Sequence, residues 1–431
     1  MIESSDSAGR GCPCCGPRCG SPLASRRAAV ATLTALSFAL PFAARAGDWP
    51  SWRGPGGVGA SAETSVPAAW DPKTRAGIRW VLDDPGFGHS SPIVAKGALF
   101  FTSAAGNSRM LLRCDPSTGK EIWRHAVLEA PLEGKHTKNS HASSTPATDG
   151  VRVYTSFLDR KKVVAVAIDF DGKEVWRASP GEFHSVHGFC STPVLFQDLV
   201  ILNCDQDAEA YVLALDAATG AERWRTGREN RVRSYCPPTI FDVSGSPQMV
   251  LSGSKTVASF DPRTGKRLWV CDGPTEQCVA SVVLGQGIVF VTGGFPDRWI
   301  LGIDPTGSGD VTKTHVRWRT NRGVSYVPSP LYHDGFFYVV ADNGVLSALE
   351  AKTGEFRGQK RLRGDFSASL LYAAGRIYAF SEEGEVFVMK STPDLETVAE
   401  ISMGEPIYAT PAVSNGTIYL RTWKRLYAIG G

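Results

Sequence analysis

The sequence has little net charge, no apolar run long enough for a membrane span, and none of the cysteine patterns that attach haem. Residues 1–46 hold five of the 46 basic residues and two of the 43 acidic ones, so the rest of the chain carries equal numbers of each sign. That balance gives no electrostatic support to a nucleic-acid partner. The uncharged stretch at residues 28–44 is too short to predict a membrane span. A C-x-x-C-H haem-attachment motif is absent from the sequence.

The first 46 residues have the pattern of an export signal. Arg26 and Arg27 precede the uncharged stretch, and the small residues Ala44 and Ala46 predict cleavage before Gly47. The paired arginines leave two routes open, twin-arginine export and general secretion. No cysteine follows the apolar stretch closely, so a lipid anchor is not expected. We therefore expect an exported chain, periplasmic or extracellular, that is cleaved near Ala46.

The ten cysteines divide between the predicted signal and the rest of the chain. Four fit a discarded segment, or translation that begins near Leu23, better than a metal cluster: Cys12, Cys14, Cys15 and Cys19. The others lie beyond the signal, where an exported chain permits disulfides. Cys271 and Cys278 flank one loop and are the best candidates for a disulfide. Cys114 replaces an apolar residue of the repeats described next, so we expect it to be buried and unpaired.

One phrase recurs along the chain: an Asp that ends an apolar strand, a Thr-Gly turn, and a Trp four residues after the Gly. The complete copies contain Asp115, Gly119 and Trp123, then Asp216, Gly220 and Trp224, then Asp261, Gly265 and Trp269. Looser copies begin at Asp169, Asp304 and Glu350. The Gly supplies the positive φ that a tight hairpin with a bulge needs, and the Asp accepts hydrogen bonds from turn amides. We expect the Trp residues to cover contacts between repeats.

A second marker runs in phase with the first. A Ser/Thr-Pro dipeptide or a variant of it opens an apolar stretch at Ser91, Thr145, Thr192, Pro237, Ser281, Ser329, Ser369 and Thr410. Each opening leads through a Gly or Asp turn to a β-rich strand, and then to the Thr-Gly phrase. Four antiparallel strands at a period of roughly 40–50 residues are the signature of a β-propeller blade.

The eight openings predict an all-β, eight-bladed β-propeller of four-stranded antiparallel blades. The last blade has three strands before the sequence stops, and residues 77–80 align with the Trp-bearing strand of the other blades. We therefore expect the N-terminal strand to complete the last blade and close the ring, which removes a long sheet edge. The predicted segments are the export signal at 1–46, an extended Pro/Gly-rich arm at 47–75 that packs across the ring, and the propeller at 76–431.

The Asp-x-x-Thr-Gly-x-x-x-Trp phrase resembles the repeat of the pyrroloquinoline-quinone (PQQ)-type propellers. That family contains quinoprotein dehydrogenases and non-enzymatic relatives such as the bacterial outer-membrane assembly lipoprotein. The resemblance covers the chain from about Ile78 onward and is specific for the fold. Residues 48–55 and 201–207 are similar to secreted propellers of planctomycete-type bacteria. WD40 repeats are a poor match, because no Asp follows the Trp.

Propeller ligands usually bind in the funnel at the ring axis, so the residues just before the inner strands form the candidate site. The candidates are His136, His141, His184, His187, Arg231, Arg233, Tyr235 and Arg322. The arginines suit an anionic ligand, and the resemblance implies PQQ, a tricarboxylate. The pairs His136 with His141 and His184 with His187 suit a transition metal instead. A third interpretation, polar rim residues that bond neighbouring loops, stays open.

A dehydrogenase has weaker support from the residues. The resemblance implies a calcium cage, a general-base Asp and a vicinal disulfide, but the only adjacent cysteines lie in the predicted signal. Glu276, Asn139 and Asp365 are the loop candidates for such a cage, and they match no motif of the family. The Asp-x-Asp-x-Glu sequence at residues 205–209 resembles a fragment of a calcium loop, but a solvated hairpin tip is the preferred interpretation.

The sequence thus predicts an exported PQQ-like propeller that acts as a ligand-binding or protein-interaction scaffold. A PQQ-dependent oxidoreductase, with PQQ and calcium as cofactors, is the alternative, and a periplasmic or outer-membrane assembly factor is the third hypothesis. The residues alone establish no cofactor. The expected partner is a protein or a small anionic ligand, and the expected state is a monomer.

Overall fold

The repeats account for nearly all of the regular structure. The computed structural model describes residues 47–430, so the predicted export signal and its cysteines lie outside the described residues. Residues 47–430 contain 33 strands and one 3-10 turn, Pro55–Gly57. No helix within that range is long and apolar enough to cross a membrane. The strands form eight sheets, each with four antiparallel strands, which confirms the predicted eight-bladed propeller.

The first four blades follow one another along the chain, each running from its innermost strand outward. Blade 1 contains β2 (Ile93–Ala95), β3 (Ala98–Ala105), β4 (Ser108–Cys114) and β5 (Glu121–Glu129). Blade 2 contains β6 (Ala147–Thr148), β7 (Arg152–Asp159), β8 (Lys162–Asp169) and β9 (Glu174–Ala178). Blade 3 contains β10 (Val194–Phe196), β11 (Leu199–Cys204), β12 (Tyr211–Asp216) and β13 (Glu222–Gly227). Blade 4 contains β14 (Thr239–Val243), β15 (Ser246–Gly253), β16 (Thr256–Phe260) and β17 (Arg267–Asp272).

The last four blades repeat this order, with one insertion and one borrowed strand. Blade 5 contains β18 (Val283–Gly285), β19 (Ile288–Gly293), β20 (Trp299–Ile303) and β22 (Val316–Thr320). Blade 6 contains β23 (Leu331–His333), β24 (Phe336–Val340), β25 (Val345–Glu350) and β26 (Phe356–Arg361). Blade 7 contains β27 (Leu371–Ala373), β28 (Arg376–Phe380), β29 (Glu385–Lys390) and β30 (Thr397–Ser402). Blade 8 contains β31 (Ala412–Ser414), β32 (Thr417–Arg421), β33 (Arg425–Ile429) and β1 (Ile78–Asp83).

The N-terminal strand supplies the outer strand of blade 8. β1 pairs antiparallel with β33, with Trp80 opposite Ala428 and Leu82 opposite Leu426. The first and the last strand of the described residues therefore meet in one sheet, and β33 has a partner along its outer edge. This is the arrangement expected from the alignment of residues 77–80 with the other outer strands.

Blade 4 has a fifth strand that the sequence did not predict. The loop between β20 and β22 contributes a short strand, β21 (Gly309–Asp310), which pairs in parallel with β17 of the preceding blade. Residues 305–317 therefore separate the Asp and the Trp of the blade 5 repeat, which explains why that copy of the phrase is so loose. Trp269 of β17 bonds Gln248 Oε1 of its own blade at 2.8 Å instead of the next blade.

Where another outer strand contains a Trp, that side chain packs over the contact with the next blade. The indole N–H of Trp80 donates to the carbonyl of Pro116 at 2.9 Å, and that of Trp176 donates to the carbonyl of Ala217 at 3.0 Å. The same ring lies over the Gly of the neighbouring turn, so that a Cβ on Gly220 would lie 2.6 Å from Trp176. The repeated Trp residues therefore have the structural role that the sequence predicts.

The Ser/Thr marker joins neighbouring blades at the axis. The hydroxyl of a marker residue accepts a hydrogen bond from the backbone N–H of the marker in the preceding blade. These bonds, with N···O distances of 2.9–3.3 Å, run from Ser91 to Thr145, Thr145 to Thr192, Ser281 to Ser329, Ser329 to Ser369, and Ser369 to Thr410. Blade 4 has Pro237 at this position, which offers no hydroxyl, and the series stops there.

The arm crosses the ring at the inner strands. Trp49 N–H donates to Val94 O of blade 1 at 2.6 Å, and Ser61 N–H donates to Tyr372 O of blade 7 at 2.8 Å. Between them the fully buried Arg53 donates from Nη2 to the carbonyls of Pro330 in blade 6 and Val58 in the arm. Burial lowers the pKa of the Arg53 guanidinium to about 9. The arm is therefore anchored on blades 1, 6 and 7.

The expectation of a disulfide between Cys271 and Cys278 is wrong. Cys271 and Cys278 form no disulfide, and the six cysteines from Cys114 to Cys278 within the described chain are all free. Cys271 packs in the apolar core around blade 4, whereas Cys278 Sγ accepts from Ser252 Oγ at 3.1 Å. Cys114 is buried and unpaired, as the sequence predicts.

Asp205 is not part of a solvated hairpin tip. Its carboxylate is fully buried and accepts a hydrogen bond from Arg228 Nε at 2.9 Å. Arg228 also donates to the carbonyl of Gly253, so the ion pair ties blade 3 to blade 4. Burial raises the pKa of the Asp205 carboxyl despite this partner. Asp207 remains on the surface, as expected, and pairs with Arg233.

Candidate functional site

A cavity of about 560 Å³ lies at the axis of the ring. Its wall contains marker residues of five blades, at the start of the inner strands: Thr145, Thr192, Pro237, Ser329 and Ser369. Trp52 of the arm lines both this cavity and a groove that the arm forms against blades 2 to 4. The Trp52 indole N–H donates to Ser281 Oγ at 3.3 Å, so the ring is held across the axis. Trp52 of the arm therefore covers part of one end of the cavity, and the loops that lead into the inner strands surround the other end, here called the mouth.

Four of the eight candidate residues line this cavity: His136, His187, Arg233 and Tyr235. The rings of His136 and His187 meet edge to face, with centroids 5.4 Å apart, and Tyr235 follows at 6.1 Å from His187. Burial lowers the pKa of His187, and the nearby Arg233 guanidinium lowers it further. The sequence therefore located one side of the cavity, formed by the loops that lead into blades 2, 3 and 4.

The other four candidates lie away from the cavity wall. His141 Nε2 is 2.9 Å from the carbonyl of Glu133, and His184 Nε2 is 2.8 Å from Glu182 Oε2. Arg231 has 68% of its side chain exposed, and Arg322 lies over the ring of Phe356. The structure therefore brings together neither of the expected metal pairs; the histidines that do meet are His136 and His187, from different blades.

The cations of the cavity already have acidic partners. Arg233 Nη1 donates to both oxygens of Asp207, at 3.0 and 2.9 Å. Lys138 Nζ donates to Glu382 Oε1 at 2.8 Å. An anionic ligand would have to displace a carboxylate from either group. The expectation of an arginine-rich anion site is therefore not supported by the arrangement of charges.

A partly buried carboxyl group, Asp342, is the main residue that the sequence did not reveal. It stands in the turn between β24 and β25 and lines the cavity. Its oxygens accept the backbone N–H groups of Tyr326, at 2.7 Å, and Val327, at 3.1 Å. Burial raises the pKa of the Asp342 carboxyl. The sequence pattern indicates a site at the residues before the inner strands. Asp342 was missed because its turn joins the second and third strands of its blade.

Aromatic rings complete the lining. Tyr235 and Tyr326 stand on one side, and Phe295 projects from the loop between β19 and β20. On the other side Tyr408 stacks on His89, with ring centroids 4.6 Å apart. Burial lowers the pKa of His89 to about 3, and the Arg421 guanidinium contributes to that shift. The imidazole of His89 is therefore neutral at physiological pH.

The loop between β5 and β6, residues 130–146, reaches across the mouth of the cavity. His136 N–H and Asn139 Nδ2 both donate to the carbonyl of His187 in the loop before blade 3, at 3.2 and 2.7 Å. Lys138 of the same loop forms its ion pair with Glu382 in blade 7. The 130–146 loop thus touches blades on two sides of the funnel.

Four large apolar side chains are exposed on the loops of the same face: Leu132, Val186, Phe295 and Trp423. Leu132 belongs to the 130–146 loop, and Val186 stands beside His187. Trp423 packs against Tyr408 of the cavity wall, with ring centroids 5.8 Å apart. These four residues form the apolar rim of the mouth.

The residues of the cavity do not fit PQQ with calcium. No group of three or more His, Cys, Asp or Glu side chains that could hold a metal occurs in residues 47–430. The three cage candidates do not converge, since Glu276 pairs with Lys255 in a groove between blades 4 and 5 and Asp365 is exposed outside the cavity wall. Asn139 does line the cavity, but its amide is used within the loops. The oxygens of Asp342 already accept two amides.

Fold and cavity together define a PQQ-type β-propeller with an axial cavity. The PQQ_2 family, described as outer membrane protein assembly factor BamB, matches residues 159–306 and 297–394. These segments cover more than half of the 431 residues, and the chain therefore belongs to this family.

Known proteins show the same fold. The outer membrane protein assembly factor BamB of Yersinia pestis is 22% identical over 316 residues, 73% of this chain and 67% of the relative. The crystal structure of BamB from Moraxella catarrhalis matches with a TM-score of 0.58 and 12% identity, over 81% of this chain and 96% of that chain. The quinohemoprotein alcohol dehydrogenase from Comamonas testosteroni matches with a TM-score of 0.61 and 14% identity, over 90% and 81%. At these identities the structural matches show the fold alone.

Proposed function

We propose that this protein is an exported propeller that binds a small molecule in its axial cavity. The cavity itself is the observation that supports the proposal. Its volume of about 560 Å³ is in the range of small-molecule sites, roughly 300–1,000 Å³. Its lining combines aromatic rings with a few polar groups that point inward, which is the usual composition of such sites. Export is supported by the signal pattern of residues 1–46 and by the outer-membrane role in the name of the family.

A protein-interaction role is the second candidate, and the apolar rim favours it. Leu132, Val186, Phe295 and Trp423 surround the mouth, where side chains of this kind are characteristic of protein contacts. The relatives are named as assembly factors, which agrees with a protein partner. In this role the protein is a scaffold whose partner docks on the open face.

Two variants separate these candidates. Val279→Trp fills the cavity from a partly buried wall position that forms no side-chain hydrogen bond. Trp423→Ser removes an apolar side chain from the rim; Trp423 does not line the cavity itself, although its ring packs against Tyr408 of the wall. A fragment library screened by ligand-observed NMR should give binders to the native protein and to Trp423→Ser, but not to Val279→Trp. Hits that bind all three proteins alike would contradict a site in the cavity.

The quinoprotein alternative has a direct test. The purified protein is mixed with PQQ and calcium, and its absorption spectrum and substrate-dependent dye reduction are recorded. We expect neither a bound-quinone spectrum nor activity, because the wall offers no free carboxylate set for the metal. Dye reduction that disappears in Glu276→Gln or Asp365→Asn would support the oxidoreductase hypothesis instead.

A further inference from the structure

We propose that the axial cavity selects a small organic cation with an apolar body, such as an amine or a quaternary ammonium compound. The inference rests on the proposed small-molecule function and specifies its ligand. It reverses the sequence-based expectation of an anion. The cavity contains several basic residues, but the positive charges among them are paired with carboxylates, whereas one carboxylate of the wall is not paired with a cation.

The positive groups of the wall are neutralised by partners of this chain. Arg233 forms two bonds to Asp207, and Lys138 forms one to Glu382. The side chain of Glu382 is only 10% exposed and also accepts from Ser367 Oγ at 2.6 Å, so this partner is firmly held. The neutral His89 imidazole adds no positive charge. A ligand cation therefore meets no unpaired cation among these groups.

The negative group of the wall has no such partner. Asp342 lines the cavity and takes part in no ion pair within residues 47–430. Its two amide bonds orient the carboxylate without neutralising it. A carboxylate that is partly removed from water without a counter-ion costs free energy, and a ligand cation beside it would offset that cost. The Lys138 ammonium group acts on it electrostatically, and that group is bonded to Glu382.

The aromatic lining supplies the second half of the site. Five aromatic residues line the cavity. Trp52 belongs to the arm, and the others are Tyr235, Tyr326, Tyr408 and Phe295. The faces of such rings attract cations, and ammonium groups with methyl substituents suit them because they are weakly hydrated. Burial raises the pKa of Tyr326 to about 12, so its phenol stays neutral and does not bind the ligand as an anion. One carboxylate and several rings together fit a cation that also carries apolar groups.

The test compares three probes of one shape with different charge: benzyltrimethylammonium, benzyl alcohol and benzenesulfonate. Isothermal titration calorimetry on the exported protein at pH 7.5 should show the cation binding at least tenfold more tightly than the other two. Asp342→Asn should weaken the cation at least tenfold. The matched control, Asp365→Asn, removes an exposed carboxylate outside the cavity and should leave all three affinities unchanged.

A further variant keeps the test decisive if Asp342→Asn does not fold. Asp207→Asn frees the Arg233 guanidinium and should increase the affinity for benzenesulfonate severalfold while weakening that for the cation. Val279→Trp, whose cavity is filled, is the reference for binding outside the cavity. If the native protein binds the alcohol or the sulfonate more tightly than the cation, and Val279→Trp does not, the cation proposal alone is overturned. Absence of binding by all three probes would contradict the proposed small-molecule function and this inference with it.

Discussion

At Gly220 the backbone has a φ of 73°, and the Trp176 indole of the preceding blade covers the position where a Cβ would lie. The same holds for Gly265 beneath Trp224 and for Gly354 beneath Trp318. The Thr-Gly turn of the repeat therefore needs its glycine for two reasons. One is the left-handed backbone that was evident from the sequence, and the other is the Trp contact, which only the ring of blades could show.

Gly220→Ala should lower the free energy of unfolding more than a matched glycine substitution does. A left-handed φ costs an Ala about 1–2 kcal/mol, and displacing a packed ring adds about 1–3 kcal/mol. Gly97 is the control, because it has a φ of 70° but no atom within 4 Å of its Cβ position. Urea unfolding of both variants gives the comparison, and equal losses would show that the Trp contact imposes no constraint.

The turn carboxylates give the fold a pH dependence. Burial raises the pKa of Asp304, but hydrogen bonds from Thr306 and Arg317 outweigh it and lower that pKa to about 2. Because the folded pKa is below the unfolded value of about 3.9, the stabilisation is present above pH 4 and is lost as the pH falls toward 2. Unfolding measured in urea at pH 5 and pH 3 should show a smaller difference for Asp304→Asn than for the native protein. An unchanged difference would contradict this role.

At the scale of the element, five of the eight inner strands are preceded by a marker residue whose backbone N–H bonds the marker of the next blade. The phase of the Ser/Thr markers was sufficient to count the blades, because each marker precedes a strand at the same point of the repeat. Their hydroxyl bonds could not be predicted, since the partners are some 40–54 residues apart and only the closed ring brings them together. The insertion with β21 was missed for a related reason, as its partner strand belongs to another blade.

Ser329→Ala should destabilise the ring, because it leaves the buried N–H of Ser281 without its acceptor. Loss of one partner of a buried hydrogen bond costs about 1–3 kcal/mol. Ser91→Ala is the matched control, since the Ser91 hydroxyl occupies the same place in blade 1 but has no hydrogen-bond partner. Thermal unfolding should give a clearly lower Tm for Ser329→Ala and nearly the native Tm for Ser91→Ala. Similar values for the two would show that the bonds between markers contribute little.

For the whole molecule, closure of the ring was predictable and the pattern of charges was not. An aligned strand at each end of the sequence indicated that β1 joins blade 8. By contrast, Lys138 and Glu382 are 244 residues apart, and no local pattern pairs them. Asp342 was missed as well, because it accepts hydrogen bonds from the backbone of Tyr326 and Val327, 16 and 15 residues earlier in the sequence. Half of the candidate residues line the cavity because strand phase fixes the face on which a loop lies, but not how far its side chains reach.

Removal of β1 should be more damaging than removal of the arm. A variant that begins at Ala76 lacks the arm contacts but retains β1, whereas one that begins after Trp80 also leaves the edge of β33 unpaired. An unpaired edge strand promotes association between chains. We expect the longer variant to remain soluble with a reduced Tm and the shorter one to aggregate, as measured by size-exclusion chromatography. Equal solubility of the two would contradict closure by β1.

The position of Trp52 has a consequence for kinetics. Trp52 covers part of one end of the cavity, and the apolar rim lies beside the mouth at the other end. A protein docked on the rim would therefore slow the release of a bound ligand. It would also slow the entry of a free ligand, without contacting the ligand in either case. Residence time would then depend on the docked partner even where the strength of binding did not.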